Sequence, residues 1–246
     1  MCRLMGYVSH EDRSLSEFVG PAFNEFAELS SLHCDGWGVA GVESGADYPT
    51  LVVEPTQASK SEEFAKITQS SKSDGALLHL RWATAGLPVK SGNTHPFTHG
   101  EISFIHNGGV LPASSLEPFI DNDLLTKLRG ETDSERYFAL IVTQMRTLGL
   151  VEGALSAVRM IKEKLNYTSL NAMLLTPSQM IVINEHTFNA TPPGQTEAYY
   201  DLYYRKDAEG VLVASSGWDQ TGWTLIENHR ALVIDRETFE IQELAI

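Results

Sequence analysis

The chain has 246 residues, of which 42% are hydrophobic, and its formal net charge is -14 at pH 7. This length and composition predict a globular protein with a sizeable core. The acidic charge, with no stretch rich in Lys or Arg, argues against binding to nucleic-acid phosphates or anionic lipid surfaces.

The chain lacks the sequence features of membrane insertion and secretion. No apolar run reaches the length of about 18 residues that a membrane span needs. Residues 1–14 lack the basic start and apolar centre of a signal peptide. We therefore expect a cytoplasmic protein without a membrane or nucleic-acid partner, in which Cys2 and Cys34 remain free thiols.

Strands are predicted wherever Val, Ile, Leu and Tyr alternate with polar residues or form short runs. The predicted strands cover residues 3–9, 38–43, 50–54, 75–83, 101–107, 172–176, 180–184, 199–205, 210–214, 230–235 and 238–243. Hairpins are predicted around residues 178–179 and 207–210.

Helices are predicted where apolar residues recur at helical spacing. They cover residues 14–32, 115–128, 134–148 and 151–165. Asp133 is placed to cap the third helix. Strands lead, two adjacent helices form a central pair, and strands follow, without repeats or a linker. This order predicts one domain over residues 1–246, with antiparallel sheets and separate helix layers instead of a parallel sheet.

The position of Cys2 beside the start of the chain has two interpretations. It is either incidental or, once Met1 is removed, it carries both a thiol nucleophile and a free α-amine that acts as a base. The reference pKa values are about 7.7–8.0 for the amine and about 8.5 for the thiol, so proton transfer between them costs only about 1 kcal/mol. The catalytic interpretation requires removal of Met1, because an acylated nitrogen is not basic.

The stretch FIHNGGV, residues 104–110, places Asn107 and Gly108 after an apolar segment. Asn-Gly is a strong signal for a type I′ hairpin turn. Alternatively, the Asn107 side-chain amide and the Gly108 backbone N–H converge on one oxygen and form an oxyanion hole. The sequence leaves both interpretations open.

Three further residues have the chemistry of a pocket for an α-amino acid. Arg81 ends an apolar strand, where its guanidinium needs an anion, either in a structural salt bridge or as a clamp on a substrate carboxylate. Thr84 adds a hydroxyl and a backbone N–H beside it. Asp133, at a helix start, is either an N-cap or the partner of an ammonium group. With a nucleophile and oxyanion donors, these residues predict acyl transfer from a substrate that bears an amino acid.

Six motifs, in order along the chain, resemble the class II glutamine amidotransferase domain of the N-terminal nucleophile hydrolase superfamily. The motifs are MCRLMGY at 1–7, CDGWGVA at 34–40, LRWATAG at 80–86, NTHPF at 93–97, HNGG at 106–109 and TDSE at 132–135. The second and fourth motifs are most similar to those of stand-alone, short-chain members. These members include the γ-glutamyl hydrolases of ergothioneine synthesis and of glutathione degradation.

The resemblance implies a fold and a catalytic centre. The fold is α+β, a four-layer αββα sandwich of two antiparallel sheets between helix layers, known as the Ntn hydrolase fold. The resemblance implies that Cys2 is the nucleophile, with its own amine as the base. It also implies that Asn107 and Gly108 form the oxyanion hole.

The resemblance further implies how glutamine is bound. Arg81 and Thr84 hold its α-carboxylate, Asp133 holds its α-amine, and Trp82 forms part of the pocket wall. The match is incomplete, since amidotransferases that make glucosamine phosphate have a His where this chain has Ala85. From about residue 151 onward, few motifs can be matched.

A zinc site formed by His95, His99 and His106 is a weaker alternative. The spacing of the first two suits one face of a helix, but a proline and a glycine in this stretch disfavour a helix. We therefore expect no metal and no cofactor. The resemblance implies that His95 shapes the pocket loop, and Cys34 is expected to be a small core residue.

Two classes of function follow from the resemblance. The first is an amidohydrolase that cleaves the γ-amide of glutamine or of a γ-glutamyl compound through a γ-glutamyl thioester, releasing glutamate and ammonia or an amine. The second is the glutaminase subunit of an amidotransferase, which delivers ammonia to a separate synthase partner. Because the αββα domain needs almost all of the 246 residues, the first class is favoured. A catalytically inactive binding domain is disfavoured, since every expected catalytic position is filled.

Overall fold

The computed structural model describes residues 2–188 and 190–246, whose strands form two antiparallel sheets. In chain order the strands are β1 (Arg3–Arg13), β2 (Trp37–Val42), β3 (Thr50–Glu54), β4 (Ser73–Leu80), β5 (Phe97–His99), β6 (Ile102–Leu111), β7 (Asn166–Leu175), β8 (Gln179–Asn184), β9 (Leu202–Lys206), β10 (Gly210–Ser215), β11 (Thr224–Ile226), β12 (Arg230–Asp235) and β13 (Ile241–Ala245).

Strands from the last third of the chain complete both sheets. The seven-stranded sheet has the order β11-β9-β10-β1-β4-β2-β3, and the six-stranded sheet has the order β13-β12-β8-β7-β6-β5. Strand β1 therefore lies between β4 and β10, with Met5 opposite Leu78 on one side and Ala214 on the other. The N-terminal end of β1 is thus enclosed by strands that are distant in sequence.

Helices cover the outer face of each sheet. In chain order they are α1 (Leu15–Val19), α2 (Phe23–Glu28), α3 (Glu62–Ser70), α4 (Asn122–Leu125), α5 (Asp133–Leu148) and α6 (Leu150–Lys164). Short 3-10 helices cover Leu29–Ser31, Ala58–Lys60, Ser91–Asn93, Ala113–Phe119 and Glu197–Tyr200.

Three buried clusters separate the four layers. Phe104 and Ile161 belong to the cluster between the six-stranded sheet and the pair α5 and α6. Leu4 belongs to the cluster between the two sheets, whereas Tyr7 and Phe26 pack on the outer face of the seven-stranded sheet. Alternate residues of β1 thus serve two different cores, as the period of a strand requires. This arrangement is the αββα sandwich predicted from the sequence.

The predicted helix over residues 14–32 is wrong as a single element. The chain forms α1, then α2, then a 3-10 turn. Gly20 ends α1 with a φ of 79°, in the left-handed region that favours glycine, and its N–H donates to Ser16 O. Pro21 follows and has no N–H with which to continue the helical bonds. The apolar spacing persists across this break, which is why the pattern alone predicts one helix.

The predicted helix over residues 115–128 is also wrong. Residues Ala113–Phe119 form a 3-10 helix that contains Pro118, and only Asn122–Leu125 is α-helical. Pro118 lacks the N–H that a longer helix would need at that position. The helix α3 and the three-residue strands β5 and β11 were not predicted.

The central helix pair and both hairpins are confirmed. The helix α5 is one residue longer than predicted, and α6 is displaced by one residue. The N-cap of α5 is Thr132, whose side chain accepts a hydrogen bond from Glu135 N, so Asp133 is the first helical residue and not the cap. The hairpins join β7 to β8 and β9 to β10.

Candidate active site

Cys2 lies directly before β1, at the junction of the two sheets. Its main-chain N–H donates a 2.8 Å hydrogen bond to Asn107 Oδ1 on β6, and its Sγ lies 3.8 Å from Trp82 O. Burial raises the pKa of the Cys2 thiol, and the positive charge of Arg81 opposes this effect. The thiol therefore keeps its proton at neutral pH and needs a nearby base to become a thiolate.

Asn107 and Gly108 lie inside β6, opposite Asn171 and Leu170 of β7. The hairpin-turn interpretation of this pair is therefore wrong. Asn107 is only 1% exposed, and its Nδ2 has no hydrogen-bond partner among the described residues. A buried donor without a partner costs about 1–3 kcal/mol, a cost that an acceptor atom of a bound ligand would relieve.

Gly108 is required by the close approach of β7. A Cβ at this position would lie 1.8 Å from Ser169 O and 2.8 Å from His106 Nε2. Since neither distance can be tolerated, any side chain here would force β6 and β7 apart. The glycine therefore allows the close backbone approach that the oxyanion-hole interpretation requires.

Arg81 lies immediately after β4, because that strand ends at Leu80 and not at residue 83 as predicted. Its buried guanidinium donates to the main-chain oxygens of Asp35 at 3.4 Å and Pro88 at 3.2 Å. None of the ion pairs found in residues 2–188 and 190–246 involves Arg81, so the salt-bridge interpretation has no support. A buried cation held by neutral carbonyls suits a clamp for an anionic ligand.

The motif that contains Asp35 and Gly36 fixes the segment after β4. Arg81 N–H donates to Gly36 O at 2.8 Å, and Asp35 N–H donates to Arg81 O at 3.0 Å. The Asp35 carboxylate accepts a 2.8 Å bond from Ala83 N–H. These bonds continue the β2–β4 pairing beyond the strand ends and so determine where residues 81–84 lie.

Asp133 is held between α5 and β6. It is largely buried, and its Oδ2 accepts a 2.8 Å hydrogen bond from Val110 N–H. Since Thr132 occupies the N-cap, the capping interpretation of Asp133 is wrong. Its carboxylate instead faces the same cleft as Cys2 and Arg81.

Six of the seven predicted site residues line one cleft. These residues are Cys2, Arg81, Trp82, Thr84, Gly108 and Asp133. Asn107 lies behind Cys2 and reaches it through the bond described above. The structure therefore brings all seven together, although they come from four segments of the chain.

His106 is a cleft residue whose role was not predicted. Its Nε2 lies 3.1 Å from Ser169 O and its Nδ1 lies 2.9 Å from Ser134 Oγ. Because a carbonyl only accepts, Nε2 carries the proton and Nδ1 accepts from the hydroxyl. Burial lowers the pKa of His106, so the ring is neutral. His106 belongs to the motif HNGG and Ser134 to the motif TDSE, but the contact between them depends on the packing of α5 against β6.

His95 also lines the cleft, where it is buried and stacks on His79 with ring centroids 4.1 Å apart. Burial lowers the pKa of both rings well below the usual range of histidine. Neither ring nitrogen of His95 has a hydrogen-bond partner in the described part of the chain. Its proposed effect on the pocket loop stays a prediction.

The segment of the alternative zinc site is not helical, since His99 lies on β5 and His106 on β6. Within residues 2–188 and 190–246, no three His, Cys, Asp or Glu side chains are grouped so that they could hold a metal ion.

Cys34 is exposed, so the prediction that it is a core residue is wrong. It follows the 3-10 turn Leu29–Ser31, where the neighbouring His33 takes the buried position and contacts the Trp82 ring edge-on at 5.8 Å. Both cysteines are free thiols. His33 therefore supports the Trp82 wall of the cleft.

A family model described as "Glutamine amidotransferases class-II" matches residues 1–185. The chain belongs to the class II glutamine amidotransferases. This membership confirms the resemblance carried by the six motifs and the predicted enzyme class. The matched region includes every predicted site residue and ends one residue after β8.

The similarity to a curated relative covers about half of the chain. The "Probable glutamine amidotransferase DUG3" of Saccharomyces cerevisiae is 32% identical over 126 residues, which make up 48% of this chain and 35% of the yeast protein. The chain thus spans about a third of the length of this relative.

Solved structures extend the comparison to the whole fold. A glutamine aminotransferase class-II domain protein from Silicibacter pomeroyi has a TM-score of 0.69 at 19% identity, with 99% of both chains covered. Glutamine phosphoribosylpyrophosphate amidotransferase from Bacillus subtilis has a TM-score of 0.65 at 18% identity, with 99% of this chain and 49% of that chain covered. These likenesses confirm the αββα fold.

None of the helices in the described residues has both the length and the apolar character needed to cross a bilayer. The cytoplasmic location stays a prediction.

Proposed function

We propose that the protein hydrolyses the γ-amide bond of glutamine or of a γ-glutamyl compound, with Cys2 as the nucleophile. The observation that carries this proposal is the pair of contacts made by Asn107. Its Oδ1 accepts from the nitrogen of Cys2 at 2.8 Å, while its buried Nδ2 has no partner in the described residues. One side chain therefore orients the nucleophilic residue and presents a donor beside it.

The first half of the proposed reaction forms a thioester. Removal of Met1, which lies outside the described residues, frees the amine of Cys2, and that amine takes the proton of Sγ. The thiolate attacks the γ-carbonyl carbon, and the resulting oxyanion accepts hydrogen bonds from Asn107 Nδ2 and Gly108 N–H. The C–N bond breaks as the ammonium of Cys2 returns its proton to the leaving nitrogen.

The second half consumes water. The free amine of Cys2 takes a proton from a water molecule, whose oxygen attacks the thioester carbon. The same two donors stabilise the second tetrahedral oxyanion. The C–S bond then breaks, Sγ regains its proton, and glutamate is released.

The charges of the cleft support binding of the glutamyl end. Arg81, with no carboxylate partner among the ion pairs of the described residues, is proposed to bind the α-carboxylate together with Thr84. Asp133, which lines the same cleft, is proposed to bind the α-amine, and Trp82 is proposed to form part of the pocket wall. The cleft therefore offers a positive charge for the α-carboxylate and a negative charge for the α-ammonium group of an amino acid.

Delivery of ammonia to a separate synthase is the alternative. It is favoured by the Bacillus subtilis amidotransferase, in which the region that resembles this chain covers only 49% of the protein.

A substrate panel distinguishes these functions. We expect glutamate release from a γ-glutamyl amide or peptide with a higher kcat/KM than from glutamine, as for the short-chain members that the motifs resemble. The measurement is glutamate release from glutamine and from several γ-glutamyl compounds by the isolated protein. Preference for glutamine, or cleavage only after a partner protein is added, would support the synthase-linked alternative.

Replacement of Asn107 tests the oxyanion hole. Asn107→Ala is expected to lower kcat by about 10²–10³-fold with little change in KM, because the amide acts mainly on the developing oxyanion. Asn184→Ala is a matched control: Asn184 is also buried, but its side chain donates to Ile226 O, outside the cleft. A change confined to KM would show that Asn107 does not stabilise the transition state.

A further inference from the structure

Ser169 on β7 contacts the strand of the oxyanion hole through both its side chain and its main chain. It is fully buried, and its hydroxyl donates a 2.9 Å hydrogen bond to the main-chain oxygen of Asn107. The same hydroxyl accepts a 3.1 Å bond from Asn171 N–H. Its main-chain oxygen accepts from His106 Nε2 at 3.1 Å. Ser169 therefore binds the residue before Asn107 as well as Asn107 itself.

These bonds lie beside an irregularity in the sheet. The β6–β7 pairing is regular as far as Gly108 and then shifts register before Val110. At a register shift the ladder bonds of a strand are locally disrupted, so the main chain is less constrained there. Next to this point the Ser169 hydroxyl links the two strands, because it donates to Asn107 O on β6 and accepts from Asn171 N–H on β7.

The main chain of Ser169 also lies close to Gly108. Its main-chain oxygen would lie 1.8 Å from a Cβ at that position. The two proposed oxyanion donors, Asn107 Nδ2 and Gly108 N–H, are thus supported by one residue. Ser169 does not belong to the residues that line the cleft.

We propose that Ser169 is a positioning residue that holds Asn107 and Gly108 where their N–H groups converge on the oxyanion. This inference rests on the proposed function, since it assumes that Asn107 and Gly108 are the donors. Because catalysis depends on donor placement within tenths of an ångström, loss of this support should lower turnover more than substrate binding.

The test compares three serine variants in the full chain. Ser169→Ala is expected to lower kcat by roughly 10-fold or more, with KM and the rate of Cys2 alkylation by iodoacetamide unchanged. Ser169→Thr keeps the hydroxyl and is expected to recover most of the loss. Ser103→Ala is the matched control, because Ser103 is a fully buried serine of the same strand pair whose hydroxyl lies 3.5 Å from Leu175 O. It is expected to leave kcat unchanged.

A second measurement separates positioning from folding. A glutamine-derived aldehyde forms a hemithioacetal with Cys2 whose oxygen occupies the proposed oxyanion hole. Ser169→Ala should weaken this adduct by about the same factor as kcat, while thermal unfolding shows that the variant is folded.

Equal kcat and equal adduct affinity in Ser169→Ala and Ser103→Ala would overturn the role of Ser169 and leave the proposed function intact. If the unmodified protein neither cleaves any γ-glutamyl substrate nor forms the adduct, the proposed function is wrong, and the inference is overturned with it.

Discussion

Cys2→Ala is expected to lower kcat for γ-amide hydrolysis by at least about 10⁴-fold. Among the described residues that line the cleft, Cys2 carries the only thiol, and its nitrogen, the proposed base once Met1 is removed, contacts Asn107. Without Sγ no thioester forms, and only substrate positioning and the oxyanion donors remain.

The matched control is Cys34→Ala, which removes the exposed thiol and should keep full activity. A glutamine analogue with a diazoketone should alkylate Cys2 once and leave Cys34 unmodified, as peptide mapping by mass spectrometry would show. Labelling of Cys34, or an active Cys2→Ala variant, would contradict the assignment of the nucleophile.

A protein whose Cys2 nitrogen is acylated is expected to lose about 10²–10⁴-fold in kcat, the range typical of a missing general base. Burial raises the pKa of the thiol, so without the amine the thiol stays protonated at neutral pH. The experiment adds a leader that a site-specific protease removes, leaving Cys2 as the first residue. Activity should appear as the leader is cleaved, and the active form should have the intact mass of a chain that begins at Cys2.

Two controls accompany the leader experiment. A leader with an uncleavable site, treated with the same protease, should stay inactive. Alkylation by iodoacetamide, which does not need the glutamine pocket, should be slower before cleavage, and this separates loss of the base from simple blocking of the cleft. Full activity of protein that mass spectrometry shows to retain Met1 would refute the amine as the base.

Much of the cleft was predictable because the sequence motifs are local. Asn107 and Gly108 are adjacent, and Arg81 and Thr84 share one segment, so each pair stays together in any fold. The structure adds the 2.8 Å hydrogen bond from Cys2 N–H to Asn107 Oδ1. This bond connects the two sheets, so no local sequence pattern could have predicted it. The layer order was also predictable, since strands flank a central helix pair.

The remaining errors and omissions come from a break within a helical pattern and from contacts between residues that are distant in sequence. Phe18 and Phe26 keep helical spacing across the break at Gly20 and Pro21, so periodicity cannot reveal it. The role of Ser169 depends on the register between β6 and β7, which brings it to Asn107, 62 residues earlier in the chain. Register over such a separation follows from the packing of whole sheets, not from a short motif.

The position of β10 beside β1 has a consequence for the order of events during synthesis. Ser215 bonds to both the N–H and the carbonyl of Leu4, at 2.7 and 3.1 Å, two residues from Cys2. A ribosome that adds about 5–20 residues per second needs roughly 10–40 s to reach Ser215. Throughout that interval the start of the chain has no strand β10 to enclose it. We expect aminopeptidase to act on Met1 during this period, so that the nucleophile matures on the ribosome and is enclosed only when the last strands arrive.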